Sequence, residues 1–473
     1  MLGHAPGLHV LATSQEPLAL SGEVLEAVAP LAEREAMELF AERAAAAAGG
    51  FALDGGNSEA VALICRRLDG IPLALELAAT RVRALGVHTL ADRLHDRFRL
   101  LNQVRRDAPA RQRTLRAMID WSWELLSPPE QTLLRRLAVF VGGFTLESAE
   151  SVCAGEGIAT DDVLDLLSRL VDRSLVVVAH EGQAADRPRY RMLESVLAYG
   201  LERLEEAGEA EDVRHRHARH FTELAEHACE LLHGHDQRYW LQRLDAESRN
   251  LRSALALEEA ESLGLRLVNA LSWYWFLRGR VGEALRRLEQ VLARTPVAAG
   301  HTCGSARASA RARRAAFALL SGVDVRPDED FDGADVRSLW LLAYARCGFG
   351  NPRPGLREAA GLTDLEALGA RFRALGDRWG EAALLSVRAT RAVYQGDLVA
   401  LRQHAEAAAA LFREFGDRWG HLQSCEQLGV LPRSPGTTRR QHACTRTAYG
   451  TRRSSSCGPA RPSGWPGWAG SRC

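Results

Sequence analysis

Lysine is absent from this sequence: all 60 of its basic residues are arginine. A phosphate-binding loop of the Gly-x-x-x-x-Gly-Lys-Ser/Thr type needs that lysine to reach the β- and γ-phosphates of a nucleotide. A standard loop of this type therefore cannot occur in the chain. Schiff-base chemistry and other lysine-dependent catalysis are excluded on the same ground. We predict that the chain is not an ATP-hydrolysing enzyme.

The sequence also lacks long apolar runs. No run approaches the roughly 20 residues that a membrane span needs. Residues 1–7 contain neither the basic nor the apolar part of a secretion signal. The nine cysteines show no Cys-x-x-Cys pair and no paired spacing, which is typical of reduced thiols in a cytosolic protein. We expect a cytoplasmic chain that does not bind a membrane.

No set of residues has the spacing of a metal site. Histidines recur at positions 215, 217, 220, 233 and 235, but only His217 and His220 are spaced as two ligands on one helix face. No cysteine or carboxylate completes a ligand set beside them. A solvated, arginine-rich helix is the favoured interpretation, and no metal is expected.

Charge is distributed unevenly although the formal net charge is zero. The last acidic residue is Glu426, and residues 431–473 contain eight Arg and no acid. Residues 1–430 therefore carry 52 Arg against 60 acids, a net charge of −8, which disfavours non-specific DNA binding. The tail 431–473 could be a basic nucleic-acid-binding arm. We favour a disordered, frameshifted end, because the preceding helical repeat stops in the middle of a unit.

Hydrophobic patterning indicates a mainly helical chain with one early strand. Residues 8–13 form a short apolar run, typical of a buried strand, and a helix is expected at 33–47. Further helices are expected from Asn57-Ser58 to Gly70 and from Pro72 to Gly86. One more is expected after Thr89, because the sequence Thr89-Leu90-Ala91-Asp92 resembles a capping box. Residues 101–111 are a polar linker.

The next segment has the pattern of a winged helix. Helices are predicted at 114–126, 130–140 and 161–173, and strands at 174–178 and 190–193. Three helices followed by a β-hairpin is a winged-helix arrangement. The third helix begins with several acids where a DNA-reading helix would place Arg.

The sequence from about residue 209 onward has a helical pattern and contains an internal repeat. Leu375-Gly376-Asp377-Arg378-Trp379-Gly380 recurs after 40 residues as Phe415-Gly416-Asp417-Arg418-Trp419-Gly420. That period suits a tetratricopeptide-like solenoid, whose units bury their apolar faces by stacking. Trp379 and Trp419 are predicted to pack between repeats. The aromatic run 273–276 could be a ligand cage but is more typical of a repeat core.

Several of these motifs together resemble one protein family. In order along roughly 8–430, they are similar to STAND ATPases, the nucleotide-binding signal-transduction regulators related to plant resistance proteins (NB-ARC), and in particular to the large ATP-binding AfsR/LuxR-type transcriptional regulators of actinobacteria. The segments that carry the resemblance are Leu11–Ser14, Leu68–Ala78, Thr114–Arg116, Asp120–Ser122, Leu137–Phe140, Tyr190–Glu194 and Asn250–Leu255.

The resemblance implies a P-loop domain, a helical lid, a winged helix and a tetratricopeptide sensor that act as one switch, closed by ADP and opened by ATP. The P-loop and the Mg²⁺-binding strand would lie before this chain's first strand. The expected divisions are 1–50, the C-terminal remnant of an α/β nucleotide-binding domain; 51–111, the lid; 112–208, the winged helix; 209–430, the α-solenoid; and 431–473, the tail.

The resemblance also supplies candidate nucleotide-binding residues. Thr13 and Ser14 end the strand after which the family places an Arg that touches the γ-phosphate, and Gln15 occupies that position here. Pro72 resembles the lid proline that packs beside the adenine. Plant relatives follow a winged-helix Met with a His near the β-phosphate, whereas Leu193 follows Met192 here. No catalytic residue is assigned.

We therefore expect a truncated, signal-responsive transcriptional regulator of this ATPase type. The intact family uses ATP and ADP, but this chain is expected to bind neither tightly. Its partners would be proteins or further copies of itself, contacted through the repeats, and DNA only through a module absent here. The alternative is a nucleotide-independent interaction scaffold built on helical repeats. A third reading is DNA binding through the basic tail.

Overall fold

The computed structural model describes residues 11–14, 17, 18, 20, 23–26, 28–94, 115–179, 188–257, 261–294, 301–323, 325, 331–347 and 364–431. The chain divides into two compact units, residues 1–217 and 218–473. None of the helices in the described ranges is long and apolar enough to cross a membrane. The tail 432–473 and the linker 101–111 lie outside the described residues.

The first unit begins with a small helical subdomain. Its helices are α1 (Glu33–Ala47), α2 (Ser58–Arg67), α3 (Pro72–Ala79), α4 (Val82–Leu85) and α5 (Val87–Arg93). They surround a buried apolar cluster whose members include Phe40, Ile64, Leu68, Leu75 and Leu90. The prediction of a helix at 33–47 is confirmed.

Two helix boundaries in this subdomain were predicted wrongly. The helix that starts at Pro72 ends at Ala79, because the Thr80 hydroxyl donates to the Leu77 carbonyl (2.7 Å) and competes with the helical backbone. The last helix starts at Val87 rather than after Thr89. Gly86, with a φ of 70°, turns the chain there.

The predicted first strand is not formed in its described part. Residues 11–14 have no regular secondary structure and are exposed, and Leu11 is 100% exposed. Residues 8–10 lie outside the described residues. A buried parallel strand needs neighbouring strands on both sides, and the sheet of the described chain is a two-stranded antiparallel hairpin.

The winged-helix segment contains two helices more than predicted. Its elements are α6 (Leu115–Glu124), α7 (Pro128–Leu137), α8 (Leu146–Cys153), α9 (Val163–Asp172), β1 (Val176–Ala179), β2 (Arg189–Met192) and α10 (Glu194–Glu206). Helices α8 and α10 were not predicted. The Thr145 hydroxyl caps α8 by accepting from Ser148 N. The hairpin was predicted correctly, and Val176 pairs with Met192.

Helix α7 begins earlier than predicted. The helix was predicted to begin at residue 130, but its first residue is Pro128, a position where a proline is favourable. Ser127 precedes it, and its backbone N–H donates to the Glu130 carboxylate at 2.7 Å in a capping box.

A buried arginine connects α7 to the start of α11 (Ala210–Leu231). The side chain of Arg136 is 3% exposed, and its Nε donates to Glu209 Oε2 at 2.9 Å. Its other nitrogens donate to the carbonyls of Cys153 and Glu156, both at 2.9 Å. Arg135 contacts the second oxygen of Glu209 at 2.7 Å. Burial alone would raise the pKa of Glu209, but the two arginines lower it from 4.5 to about 2.

The second unit consists of successive helices. They are the end of α11, α12 (Gln237–Ala246), α13 (Ser248–Ala256), α14 (Glu261–Leu277), α15 (Val281–Arg294), α16 (His301–Leu320), α17 (Val336–Arg346), α18 (Leu365–Leu375), α19 (Arg378–Gln395), α20 (Leu398–Phe415) and α21 (Arg418–Leu428). This unit is a solenoid of helical repeats.

The repeated hexapeptide is a helix-to-helix turn. Gly376 and Gly416 end α18 and α20 in the left-handed conformation, with φ of 65° and 74°. Asp377 and Asp417 then cap α19 and α21, each accepting from the backbone N–H three residues later at 2.9 Å. The sequence Gly396-Asp397 forms the same turn between α19 and α20.

The final glycine of the hexapeptide is a packing residue. A Cβ atom at Gly380 would lie 2.1 Å from the ring of Phe372, and one at Gly420 would lie 2.3 Å from the ring of Phe412. Both phenylalanines are fully buried. The repeat therefore requires glycine here because consecutive helices approach each other closely.

Four tryptophans from four helices meet inside this unit. Trp273 of α14 lies 5.7, 5.3 and 5.0 Å from the rings of Trp340, Trp379 and Trp419, measured between ring centroids. The pairs are edge-to-face, the preferred arrangement of aromatic rings. Trp273, Trp340 and Trp379 are buried, which confirms that the aromatic run at 273–276 contributes to a core.

Replacing Gly380 by Ala should lower the free energy of unfolding by about 2–3 kcal/mol, because the new methyl group would overlap the Phe372 ring. Gly304→Ala is the matched control, since nothing lies within 4 Å of a Cβ there. It should be neutral or stabilising by about 0.5 kcal/mol. Urea unfolding followed by circular dichroism measures both, and equal effects would refute the packing explanation.

Glu209→Gln should destabilise the protein by about 3 kcal/mol at pH 7, because Arg136 loses the partner of a buried charge. Since the pKa of Glu209 is lowered to about 2 in the folded protein, its contribution is complete above its ordinary pKa and is lost as the pH falls toward 2. The measurement is urea unfolding from pH 7 to pH 2.5. The variant should lose less stability over that range than the wild type, and parallel curves would contradict the prediction.

Candidate functional site

A cavity of about 330 Å³ lies in the first unit, between the chain before α1, the α2–α3 turn and the β2–α10 junction. Its walls are formed by Ala29, Pro30, Leu31, Glu33, Ala36, Cys65, Arg66, Asp69, Gly70, Arg191 and Leu193. We call this cavity the hinge cleft. It lies where the helical subdomain contacts the winged helix, so a ligand here would touch both.

The α2–α3 turn has an unusual backbone. Asp69 and Gly70 both adopt positive φ values, 56° and 65°. Gly70 packs against Leu31, whose backbone N–H donates to the Gly70 carbonyl at 3.1 Å. A Cβ atom at Gly70 would lie 2.4 Å from the Leu31 carbonyl oxygen. Only glycine fits this approach, and aspartate is among the few residues that tolerate the left-handed conformation before it.

This turn directs the Asp69 carboxylate to the start of α10. Its oxygens accept hydrogen bonds from the backbone N–H of Glu194 at 2.8 Å and of Ser195 at 3.0 Å. The Ser195 hydroxyl lies at 3.3 Å from the same carboxylate. Leu193, the residue before the helix, has no polar side chain to cap it. Asp69 therefore supplies the N-terminal cap of α10 from 125 residues away.

The cleft contains one cation without an anionic partner among the described residues. Arg66 pairs with Glu33 at 3.1 Å. Arg191 is exposed, and its guanidinium forms no hydrogen bond or ion pair with another described side chain. Cys65 also lines the cleft, but burial raises the pKa of its thiol to about 12, so it is not a nucleophile. The guanidinium of Arg191 makes the cleft compatible with binding of an anion.

None of the predicted nucleotide-binding residues in the described part of the chain lines this cleft. Pro72 is exposed at the first turn of α3, two residues after Gly70, although it does not line the cavity. Thr13 and Ser14 are exposed and do not line it either, and Gln15 lies outside the described residues. Leu193, at the position of the plant histidine, does line it.

Sequence reasoning missed Asp69 and Arg191 as site residues. Asp69 lies in the segment Leu68–Ala78, and an Asp-Gly pair at a helix end is a turn signal. Nothing local indicated that its carboxylate caps a helix 125 residues away. Arg191 was visible only as a strand residue.

The repeat tryptophans occupy different environments. Trp379 is 5% exposed, and its indole N–H donates to Asp417 at 2.5 Å. Trp419 is partly exposed and contacts Phe276 and Tyr344 at ring-centroid distances of 5.6 and 5.7 Å. The two side chains therefore do not have identical roles, although their sequence positions are equivalent.

No group of three or more potential metal ligands occurs among the described residues. The ring of His217, one of the two histidines with helical spacing, is buried and lies 5.4 Å from the ring of Phe140.

The exposed face of α9, the third helix of the winged helix, is not basic. Its solvent-facing side chains, with those of the short turn before it, are Asp161, Asp162, Leu164, Asp165, Ser168, Arg169 and Asp172. Four carboxylates against one guanidinium would repel a DNA backbone. The structure thus places acids on the surface of the helix that reads DNA in many winged-helix proteins.

Residues 126–205 match the family described as a winged helix-turn-helix domain. They span α7 to α10 together with the hairpin. The fold is therefore mainly helical, with a winged helix followed by a helical-repeat solenoid.

Comparison with curated proteins identifies relatives in mycobacteria. A protein of Mycobacterium tuberculosis, provisionally named an HTH-type transcriptional regulator, is 38% identical over 424 residues, 86% of this chain and 47% of that protein. A counterpart in Mycobacterium bovis matches equally. An uncharacterized M. tuberculosis protein is 42% identical over 225 residues, 47% of this chain and 56% of its own. The chain thus spans about half the length of these relatives.

Among solved structures, the chain is similar to the crystal structure of a signal transduction ATPase with numerous domains and a tetratricopeptide repeat sensor from Pyrococcus horikoshii. The match has a TM-score of 0.36 and 14% identity, and covers 84% of this chain and 56% of that one. A TM-score this low is too small to establish a common fold.

Asp69→Asn should lower the free energy of unfolding by about 1 kcal/mol, because the amide can accept from only one of the two N–H groups at the start of α10. Asparagine tolerates the left-handed backbone, so the substitution isolates the capping role. The control is Asp172→Asn at an exposed position, which should change stability by less than about 0.5 kcal/mol. Thermal and urea unfolding measure both variants. An Asp69 variant as stable as the control would show that the cap contributes nothing.

Proposed function

We propose that this chain acts in a signal-responsive transcriptional regulator of the AfsR/LuxR-type STAND class, as a nucleotide-gated switch with a helical-repeat sensor. The observation that carries the proposal is the hinge cleft, where the turn that caps α10 also borders an anion-compatible cavity. The winged-helix match and the relatives named as transcriptional regulators support the regulatory part.

The cleft residues fit an adenine nucleotide in two respects. Arg191 offers an unneutralised guanidinium, which suits a phosphate. Pro72 presents an exposed apolar ring close by in the chain, which suits an adenine face. Ligand binding in the cleft would affect α10 through Asp69, because the α2–α3 turn that contains Asp69 lines the cavity and the Asp69 carboxylate caps the first turn of α10.

We further propose that this chain does not hydrolyse ATP and binds nucleotides only weakly. The chain contains no lysine, so it has no standard lysine–phosphate contact. Arg191 alone would provide a single charge-assisted contact. We expect a dissociation constant for ADP weaker than about 1 μM, which corresponds to about −8 kcal/mol.

In this proposal the winged helix is a regulatory element and not the part that reads DNA. The support is the surface of α9, where acidic side chains outnumber the single arginine. DNA would then be contacted outside the segments described here. Fluorescence anisotropy with a labelled mixed-sequence duplex at low salt tests this. Tight binding that is lost in an Arg169→Ala variant would overturn it.

Titration with a fluorescent ADP analogue tests the nucleotide assignment. We expect weak, saturable binding that competes with unlabelled ADP and weakens roughly tenfold in Arg191→Ala, since one charge-assisted contact is removed. Arg169→Ala, an exposed arginine outside the cleft, is the matched control and should bind as the wild type does. Phosphate release from ATP should stay at the level of buffer.

Three outcomes would refute parts of this assignment. Sub-micromolar ADP binding or steady ATP turnover would contradict the proposed lack of phosphate-binding machinery. Saturable binding unchanged by Arg191→Ala would move the ligand away from the hinge cleft. Absence of competitive binding at millimolar ADP would favour the second candidate, a nucleotide-independent interaction scaffold, which the extensive aromatic packing of the repeats also supports.

A further inference from the structure

Alternate helices of the second unit are linked by hydrogen bonds of one kind. Asp335, Asp377 and Asp417 cap α17, α19 and α21, and each accepts from a first-turn N–H at 2.9 Å. The second residue of α17 and the second residue of α19 each donate to the cap of the next helix in this series. Arg337 donates to Asp377 at 2.7 and 3.1 Å, and Trp379 donates to Asp417 at 2.5 Å.

The three capping carboxylates differ in their counter-charges. Asp335 lies 3.3 Å from Arg313, and Asp377 forms a bidentate pair with Arg337. Asp417 is only 1% exposed, yet no described arginine or histidine forms an ion pair with it. Its donors include the N–H groups of Gly420 and Trp419, the Trp379 indole and a side-chain amide, which are all neutral. A buried carboxylate without a counter-charge is costly.

The side-chain amide belongs to Gln237, 180 residues earlier in the chain, at 3.3 Å from Asp417. Residues 232–237, here called the latch segment, lie along the α19–α21 side of the unit. The ring of His233 is 4.1 Å from that of Trp379 and 5.2 Å from that of Trp273. His235 occupies the space next to Gly416, where no Cβ would fit.

The latch segment packs against the tryptophan rings but brings no positive charge to the Asp417 carboxylate. The Gln237 amide also donates to the Leu232 carbonyl at 2.8 Å, so its contact with Asp417 is the longer of its two. His233 is buried, and its Nδ1 has no hydrogen-bond partner in the part of the chain that the structure describes. Burial and the nearby Arg337 hold the pKa of His233 well below its ordinary value. His233 therefore stays neutral and does not compensate Asp417.

We propose that the surface formed by Trp273, Trp379 and Asp417 is a binding site for a basic peptide segment of a partner protein, and that the latch segment occupies it as an internal ligand. The partner places a ring against the two tryptophans and a guanidinium on Asp417. Arg337 shows the chemistry within this chain, because it pairs with Asp377 while its guanidinium lies 5.3 Å from the Trp379 ring. Binding displaces residues 232–237.

The first experiment places the missing charge in the chain itself. Gln237→Arg should raise the Tm by about 2–4 °C, since a charge-assisted bond replaces a neutral one. Gln242→Arg, an exposed position on the same helix, is the matched control and should leave the Tm unchanged. In an Asp417→Asn background the gain should disappear. A Gln237→Arg variant with unchanged or lowered Tm, or a gain that persists without the carboxylate, would overturn the proposal.

The second experiment tests displacement by a separate peptide. The probe is acetyl-Leu-His-Gly-His-Asp-Arg-amide, which copies the latch segment with Arg in the last position, and the control peptide ends in Gln. Binding to the full chain carrying Gln237→Ala is followed by tryptophan fluorescence. The Arg peptide should bind roughly tenfold more tightly than the Gln peptide. Equal affinities, or no saturable signal from either peptide, would refute the site.

Discussion

A carboxylate that caps a helix N-terminus is the interaction on which both units of this protein depend. In the first unit Asp69 satisfies two N–H groups of α10 and joins the helical subdomain to the winged helix. In the second unit Asp377 and Asp417 begin α19 and α21 and receive donors from the preceding repeat. Asp69 joins elements that are distant in the chain, whereas Asp377 and Asp417 each cap a neighbouring helix and accept from a distant side chain.

These caps impose constraints on their neighbours. Gly70 has to approach Leu31 without a Cβ so that Asp69 can reach α10. Gly380 and Gly420 have to leave room for Phe372 and Phe412 so that the capped helices can pack. The hydrogen bond between a capping carboxylate and a helix N–H therefore goes together with a glycine at the neighbouring close contact. The absence of a side chain at that glycine allows the helices to approach each other closely. The same logic makes an uncompensated acid, such as Asp417, a point where a ligand can add binding energy.

Local patterns predicted most of the helices but not their limits. The helix at 33–47 and the hairpin of the winged helix follow from periodicity and turn residues, which act over a few positions. Helix α8 was missed because its eight residues, Leu146–Cys153, carry too short an apolar pattern. The break at Thr80 depends on one side-chain hydrogen bond to Leu77. The predicted strand at 8–13 is absent from residues 11–13 because a strand is stabilised by partners, not by its own sequence.

The sequence by itself determined the helical class, the winged helix, the repeated Gly-Asp turn and the absence of lysine-based phosphate chemistry. Each follows from residue types or from spacings of a few positions. Only the tertiary structure decided that Asp69 caps α10, that Arg191 borders a cavity, and that Gln237 meets a buried Asp417. These contacts join residues up to 180 positions apart, and they arise from packing of whole helices. Periodicity identifies the buried face of a helix, but it carries no information about which distant residue covers it.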